Sequence, residues 1–129
     1  MVKKVLIVDD EPNIVAALDY LLRRSGYEVH AAADGEAAMR QVQAVSPDLV
    51  LLDVMIPERS GYDVCQRIRE HPEWSKIRIV MLSAKGREAE RSKGLSLGAD
   101  AYITKPFSNA ELVARIGELL RERGPVEGA

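Results

Sequence analysis

Five polar residues carry the chemistry this chain could perform: the adjacent carboxylates Asp9 and Asp10, the lone carboxylate Asp53, the hydroxyl of Ser83 and the ammonium of Lys105. Each stands directly after a short apolar run: VLIV before Asp9, LVLL before Asp53, IVML before Ser83 and AYIT before Lys105. Three carboxylates brought together repel, so at neutral pH at least one would keep its proton unless a cation shared the site. Oxygen-only ligands suit Mg²⁺, which retains several waters and takes one or two carboxylates together with phosphate oxygens. That combination points to phosphoryl transfer. Lys105 would supply a point charge to a phosphoryl oxygen and Ser83 a hydrogen bond. Asp53, the only acid on its strand, would be the nucleophile that forms an aspartyl phosphate. Any one of these residues alone is more often a helix cap or turn former. Their joint placement carries the reading.

Placing them is the task of five short apolar runs, Val5–Val8, Val29–Ala32, Leu49–Leu52, Ile77–Leu82 and Ala101–Ile103, which read as strands. Helix-length amphipathic segments separate them. The first runs from about Pro12 to Ser25 with Ile14, Val15, Leu18, Leu21 and Leu22 on one face, and Gly26 is placed to end it. The second starts near Asp34, buries Ala38, Val42 and Val45, and stops before Pro47; the third spans Gly61 to the His71–Pro72 break. The fourth, Glu88–Leu97, is mostly polar, has Gly94 inside it and offers a narrow apolar face of Ala89, Leu95 and Leu97, so it is expected to be the loosest. The fifth opens with the capping box Ser108-Asn109-Ala110-Glu111 and buries Leu112, Ile116, Leu119 and Leu120.

Alternation of strand and helix implies a doubly wound parallel α/β sheet with helices on both faces, since parallel neighbours need crossover connections. Strands buried on both sides account for unbroken apolar runs. All the polar candidates then sit at carboxyl ends, the edge where open parallel sheets bind ligands. With the flavodoxin-like strand order 2-1-3-4-5, strands one and three are neighbours and the three aspartates converge.

Composition narrows the alternatives. With 129 residues and 47% apolar content, one domain can fill a core without staples. The 18 basic and 20 acidic residues are interspersed, so no basic field for nucleic acid stands out. No apolar run is long enough for a signal peptide or a membrane span, and the expectation is a soluble, cytoplasmic protein. Cys65 cannot form an internal disulfide and suits a small buried hydrophobe on a helix. Trp74 is expected in a loop. His30 and His71 suggest no chemistry.

The stretches VLIVDDEP, PDLVLLDVMIPERSG, IVMLSAK and LGADAYITKPF, in this order and spacing, resemble the receiver domain of two-component response regulators over residues 3 to about 121. The resemblance implies a receiver domain over 1–121 with a short tail at 122–129. It also implies that Asp53 accepts a phosphoryl group from a histidine kinase or histidine phosphotransfer protein. Asp10 would ligate Mg²⁺ directly, Asp9 mostly through water, and Asp53 and the Met55 backbone carbonyl would complete the protein ligands. Lys105 would pair with the phosphoryl group, and Ser83 and Tyr102 would form the switch. A cis peptide at Lys105–Pro106 is implied as well, and Pro57 and Gly61 fit the loop after the acceptor. Met55, Lys85 and the surface of the fourth helix vary in such proteins and would tune the lifetime and readout of the phosphoryl state. The implied output is a changed surface of helix four, strand five and helix five, read by a downstream protein or effector domain. A phosphorylation-dependent homodimer stands as a hypothesis.

Such a domain signals by catalysing its own phosphorylation and dephosphorylation and is not an enzyme acting on other substrates. A haloacid-dehalogenase-like phosphatase is the nearest competitor, but it places a D-x-D nucleophile first and its acidic pair last, the reverse of this chain. A receiver-like module that never turns over phosphate would usually lack a site residue. A flavodoxin would need Gly, Ser and Thr after the first strand, where this chain is acidic. The length favours a freestanding receiver over the amino-terminal piece of a longer regulator.

Overall fold

A computed structural model describes residues 2–56, 60–84 and 88–122. Pro57, Lys85 and residues 123–129 of the expected tail lie outside the described residues. Five strands and five α-helices alternate: β1 Lys4–Val8, α1 Pro12–Arg24, β2 Glu28–Ala32, α2 Gly35–Val45, β3 Leu49–Asp53, α3 Gly61–Glu70, β4 Arg78–Ser83, α4 Glu88–Ser96, β5 Ala101–Thr104 and α5 Asn109–Glu122. The strands form one parallel sheet in the order β2-β1-β3-β4-β5.

Strand residues alternate between two apolar layers. Val5, Ile7, Leu49, Leu51, Val80 and Leu82 face Leu18 and Leu22 of α1 and Leu112, Ile116, Leu119 and Leu120 of α5. Leu6, Val8, Val50, Leu52, Ile79 and Met81 face the other way, with Ala38 and Val42 of α2 and Val64, Cys65 and Ile68 of α3. Between their polar ends the central strands are therefore apolar at every position, as burial on both faces requires.

Helix ends follow their residues. The carboxylate of Asp34 accepts from the Ala37 amide at 2.7 Å, Ser60 Oγ accepts from Asp63 N at 3.2 Å, and Ser108 Oγ accepts from Glu111 N at 3.2 Å. After α1 the chain turns at Gly26 with φ +98°, a conformation that only glycine adopts cheaply. Cys65 is buried, and burial pushes its thiol up to about 11, so it behaves as a neutral apolar group. Trp74 belongs to a short 3₁₀ turn, Pro72–Trp74, where it packs on the layer under α2 and α3 with the His71 ring 4.4 Å away.

The expected apolar face of α4 is corrected. Ala89 and Leu95 are exposed, and Leu97 is only partly buried just beyond the helix. The buried residue of α4 is Gly94. The helix sits so close to the sheet that the position without a side chain is the one turned inward. It does remain the most weakly anchored helix, since each of the others buries at least one side chain larger than glycine.

Periodicity gave no sign of a polar clamp at the amino-terminal edge of the sheet. Asp100 accepts from Arg69 Nη2 at 2.9 Å, from Arg78 Nη1 at 3.2 Å and from the Ile79 amide at 2.9 Å, while its own amide donates to the Ile79 carbonyl at 2.8 Å. One carboxylate thus ties α3, β4 and the entry to β5 together. Removing it would strand two guanidinium groups and an amide at least partly away from water. Asp100→Ala is expected to lower unfolding stability by about 2 kcal/mol in a urea titration, well beyond the few tenths typical of surface changes.

Candidate functional site at the carboxyl edge of the sheet

Strand register brings the polar residues together. Val8 of β1 pairs with Leu52 of β3, so the next residues, Asp9 and Asp53, leave adjacent strands side by side. Ser83 of β4 pairs with Thr104 of β5, so Lys105 follows beside it, and the Lys105 amide donates to the Ser83 carbonyl at 2.7 Å. Asp53 and Ser83 are the last residues of their strands rather than the first beyond them, because the ladder extends one step further than their apolar runs. The backbone on either side is equally held: Asp9 N donates to Ala32 O at 3.1 Å and Val54 N to Leu82 O at 3.1 Å.

Asp9, Asp53 and Ser83 are the buried polar residues among those described, and Asp10 is exposed beside them. Lys105 Nζ lies 3.3 Å from Asp53 Oδ2 and 3.5 Å from Asp9 Oδ2, bridging the two buried acids. Asp53 Oδ1 accepts from the Met55 amide at 3.0 Å, and Asp9 Oδ1 from the Glu11 amide at 2.9 Å. The peptide bond Lys105–Pro106 is cis.

One lysine does not balance the acids. Burial pushes the Asp53 carboxyl above its ordinary range. The Met55 amide and Lys105 oppose that shift, and the charge on Asp9 adds to it. Carboxylate oxygens of Asp9, Asp10 and Asp53 all lie within 4.8 Å of one another. Among the described residues, Asp9 Oδ2 is buried and accepts no hydrogen bond, with only the lysine ammonium at ion-pair distance. A buried, hydrogen-bond-free carboxylate oxygen inside an all-oxygen cluster fits a hard divalent cation.

Gly61, at the start of α3, closes the site from behind. Its amide donates to the Val54 carbonyl at 2.8 Å, and a Cβ there would stand 2.5 Å from the Asp53 carbonyl oxygen and 2.7 Å from Val54 Cα. Those neighbours are backbone and cannot give way cheaply. Tyr102 is 3% exposed and packs on the same side of the sheet as Met81, its partner across β4 and β5. Tyr62, Arg91 and Glu90 around it were not singled out from the sequence. Tyr62 donates to the Glu90 carbonyl at 3.3 Å and Arg91 Nη1 to the Tyr102 carbonyl at 3.0 Å. Burial, together with a hydrogen bond to Tyr102, pushes the Tyr62 hydroxyl up to about 12. Nothing in local spacing announces such partners, which come from two helices, α3 and α4.

With this geometry in hand, the match to known proteins is direct: the family model of the response regulator receiver domain covers residues 5–117, and the chain belongs to that family. It is therefore a signalling domain of the two-component type. Among curated proteins it is 48% identical over 121 residues to the alkaline phosphatase synthesis transcriptional regulatory protein PhoP of Bacillus subtilis, covering 94% of this chain and 50% of PhoP. It is 42% identical over 125 residues to the phosphate regulon transcriptional regulatory protein PhoB of Rhizobium meliloti, covering 97% of this chain and 55% of PhoB. The chain thus spans about half the length of these relatives. Among solved structures, the BeF3-activated receiver domain of Klebsiella pneumoniae RstA superposes with a TM-score of 0.86 at 29% identity, covering 92% of this chain and 99% of that one. The receiver domain of a histidine kinase from Syntrophus aciditrophicus gives 0.89 at 29% identity, covering 98% and 96%. No helix among the described residues is long and apolar enough to cross a membrane.

Two outcomes follow from the packing and charge of the site. Gly61→Ala is expected to cost about 1–3 kcal/mol in urea unfolding through overpacking against the Asp53–Val54 backbone. Asp53→Asn should do the reverse. The folded state raises the Asp53 carboxyl above its unfolded value, so at any pH above both values the ionised form subtracts from stability. The neutral amide removes that loss, and the metal-free variant should melt ~3 °C higher than wild type by calorimetry at neutral pH. Mg²⁺ should raise the wild-type melting temperature and leave that of Asp53→Asn nearly unmoved.

Proposed function

We propose that the chain is a phosphoacceptor receiver: it takes a phosphoryl group onto Asp53 from a phosphohistidine of a kinase or phosphotransfer protein and signals through a changed protein surface. The observation that carries this is the convergence of Asp53, Asp9 and Lys105 with an all-oxygen acidic cluster. In the transfer a carboxylate oxygen of Asp53 forms a bond to phosphorus. The phosphorus–nitrogen bond of the donor breaks, and its electron pair stays on the imidazole. Raised basicity at Asp53 favours attack once the carboxylate is ionised. The Met55 amide, already bonded to Oδ1, keeps the carboxylate from rotating.

Asp9, Asp10, Asp53 and the Met55 carbonyl would hold Mg²⁺, with Asp9 reaching it mostly through water. The metal supplies the positive charge that lets an anionic phosphoryl donor approach three acids. Lys105 is freed from the Asp53–Asp9 pair to meet a phosphoryl oxygen. Ser83 stands at the end of β4, two residues beyond Met81 on the same face of the strand, and its hydroxyl would follow that oxygen. Tyr102 lies on that face too. The resulting signal is a shift in the α4–β5–α5 surface, read by an effector domain or downstream protein and, as a further part of this proposal, by a second copy of the chain. The relatives named as transcriptional regulators support an effector of that kind.

Intact-mass measurement after incubation with acetyl phosphate and Mg²⁺ tests the reading. One phosphoryl adduct is expected, lost in Asp53→Asn and in metal-free buffer, and at least tenfold slower to form in Lys105→Ala. An adduct that survives in Asp53→Asn and vanishes in Asp9→Asn would assign the acceptor wrongly.

A further inference from the structure

Gly94 is a puzzle for helix formation. Glycine is among the poorest residues for a helix interior, and α4 is already the helix with the least apolar anchoring. A conformational reason is absent, since its φ is not in the positive region that favours glycine. Its surroundings give a packing reason. A Cβ at position 94 would stand 3.0 Å from Tyr102 Cδ2, 3.3 Å from Tyr102 Cε2 and 2.8 Å from Met81 Sδ. The first and last of these are shorter than ordinary carbon contacts. The missing side chain is thus part of the cavity that the Tyr102 ring fills.

The ring is inside: Tyr102 is buried against Met81 and the face of α4 that carries Gly94. One further contact favours this position: the Tyr62 hydroxyl hydrogen-bonds to Tyr102. Arg91 of α4 holds the Tyr102 backbone carbonyl at 3.0 Å, which ties α4 to β5 whichever way the ring points. Met81, the cross-strand partner of Tyr102, lies two residues before Ser83 on the same face. Whatever fills the space between α4 and Met81 therefore touches the strand that carries Ser83.

We propose that Gly94 is the positioning residue of the tyrosine switch: by leaving room for the Tyr102 ring it keeps the inward state open to that ring, and thereby sets how readily Asp53 is occupied. The proposal rests on Asp53 being the phosphoryl acceptor. A methyl group at 94 competes with the ring for one space, and the inward state loses population. A ligand that selects the inward state then binds more weakly by the same factor.

The test uses the full chain, with Mg²⁺ and beryllium fluoride as a phosphoryl mimic and calorimetry as the affinity readout. Gly94→Ala should bind the mimic about tenfold more weakly, within the range of conformational coupling energies. In a Tyr102→Ala background the same substitution should change affinity by less than about twofold. Equal weakening in both backgrounds would show that Gly94 serves helix-to-sheet packing alone, and the proposal would fall. Nitration with tetranitromethane, mapped by peptide mass, reads the ring without any phosphoryl mimic. Tyr102 should be protected in wild type and reactive in Gly94→Ala, and continued protection in the variant overturns the proposal. If crowding against Met81 unfolds Gly94→Ala, the same measurements on Met81→Val and on Met81→Val/Gly94→Ala leave Tyr102 as the contact tested. Failure of wild type to bind the mimic, or undiminished binding by Asp53→Asn, would instead sink the acceptor reading, and nitration would still decide the seat of Tyr102.

Discussion

The constraint on which the rest depends is the pairing of β1 with β3. It is a parallel ladder that runs in register to Val8 and Leu52 and so sets two carboxylates side by side at its end. Nothing in the local chemistry of either strand favours that outcome. Both acids are largely removed from water, and Lys105 can neutralise no more than one of them. The cost is carried by the apolar layers above and below the sheet, where every residue of β3 is buried. Such strands hold their ends rigidly, as a preorganised site requires, because moving Asp53 away from Asp9 would break the ladder or open the core. On the proposed function, the stability withheld at the site would make it responsive to a cation and an anion arriving together.

The two faces of the sheet divide the work. Asp53 shares its face with Leu49 and Leu51, packed under α1 and α5, whereas Ser83 shares its face with Met81 and Tyr102 on the α4 side. A group bound at the carboxyl edge can thus be gripped from one layer and sensed in the other. The grip is the better anchored half. α1 and α5 bury several large aliphatic side chains, while α4 turns a glycine to the sheet. Motion in response to a small displacement at Ser83 is expected where packing is thinnest, which is α4.

The alternation of apolar runs and helix-length segments disclosed the five strands, the five helices and the edge on which the polar residues gather, because burial on both faces leaves an unbroken apolar signature in the strands. Strand order was not contained in that pattern. It entered as the flavodoxin-like order 2-1-3-4-5, and the neighbourhood of Asp9 and Asp53 followed from it. The apolar face of α4 was misplaced onto Ala89 and Leu95 for a physical reason: hydrophobic periodicity weighs side chains, and the residue buried there has none. Asp100 escaped notice likewise. A carboxylate that receives two arginines and a backbone amide from β4 and α3 looks, in sequence, like any turn-forming aspartate two residues after a glycine.

Tyr102 shows why burial alone does not define a switch. Its ring is inside, and its neighbours across the space are a glycine, a methionine side chain and the Tyr62 hydroxyl. Glycine sets a volume limit but offers the ring little to hold. Methionine adapts to irregular space, and a hydroxyl pair at the far end can be replaced by water once the ring turns out. Each contact supports the inward position weakly, and none makes it irreversible. Large aliphatic partners, like those beneath α5, would have locked the ring by dispersion and area. For the proposed switch, a seat assembled from weak contacts would keep two positions close in free energy, the condition under which one phosphoryl group could decide between them.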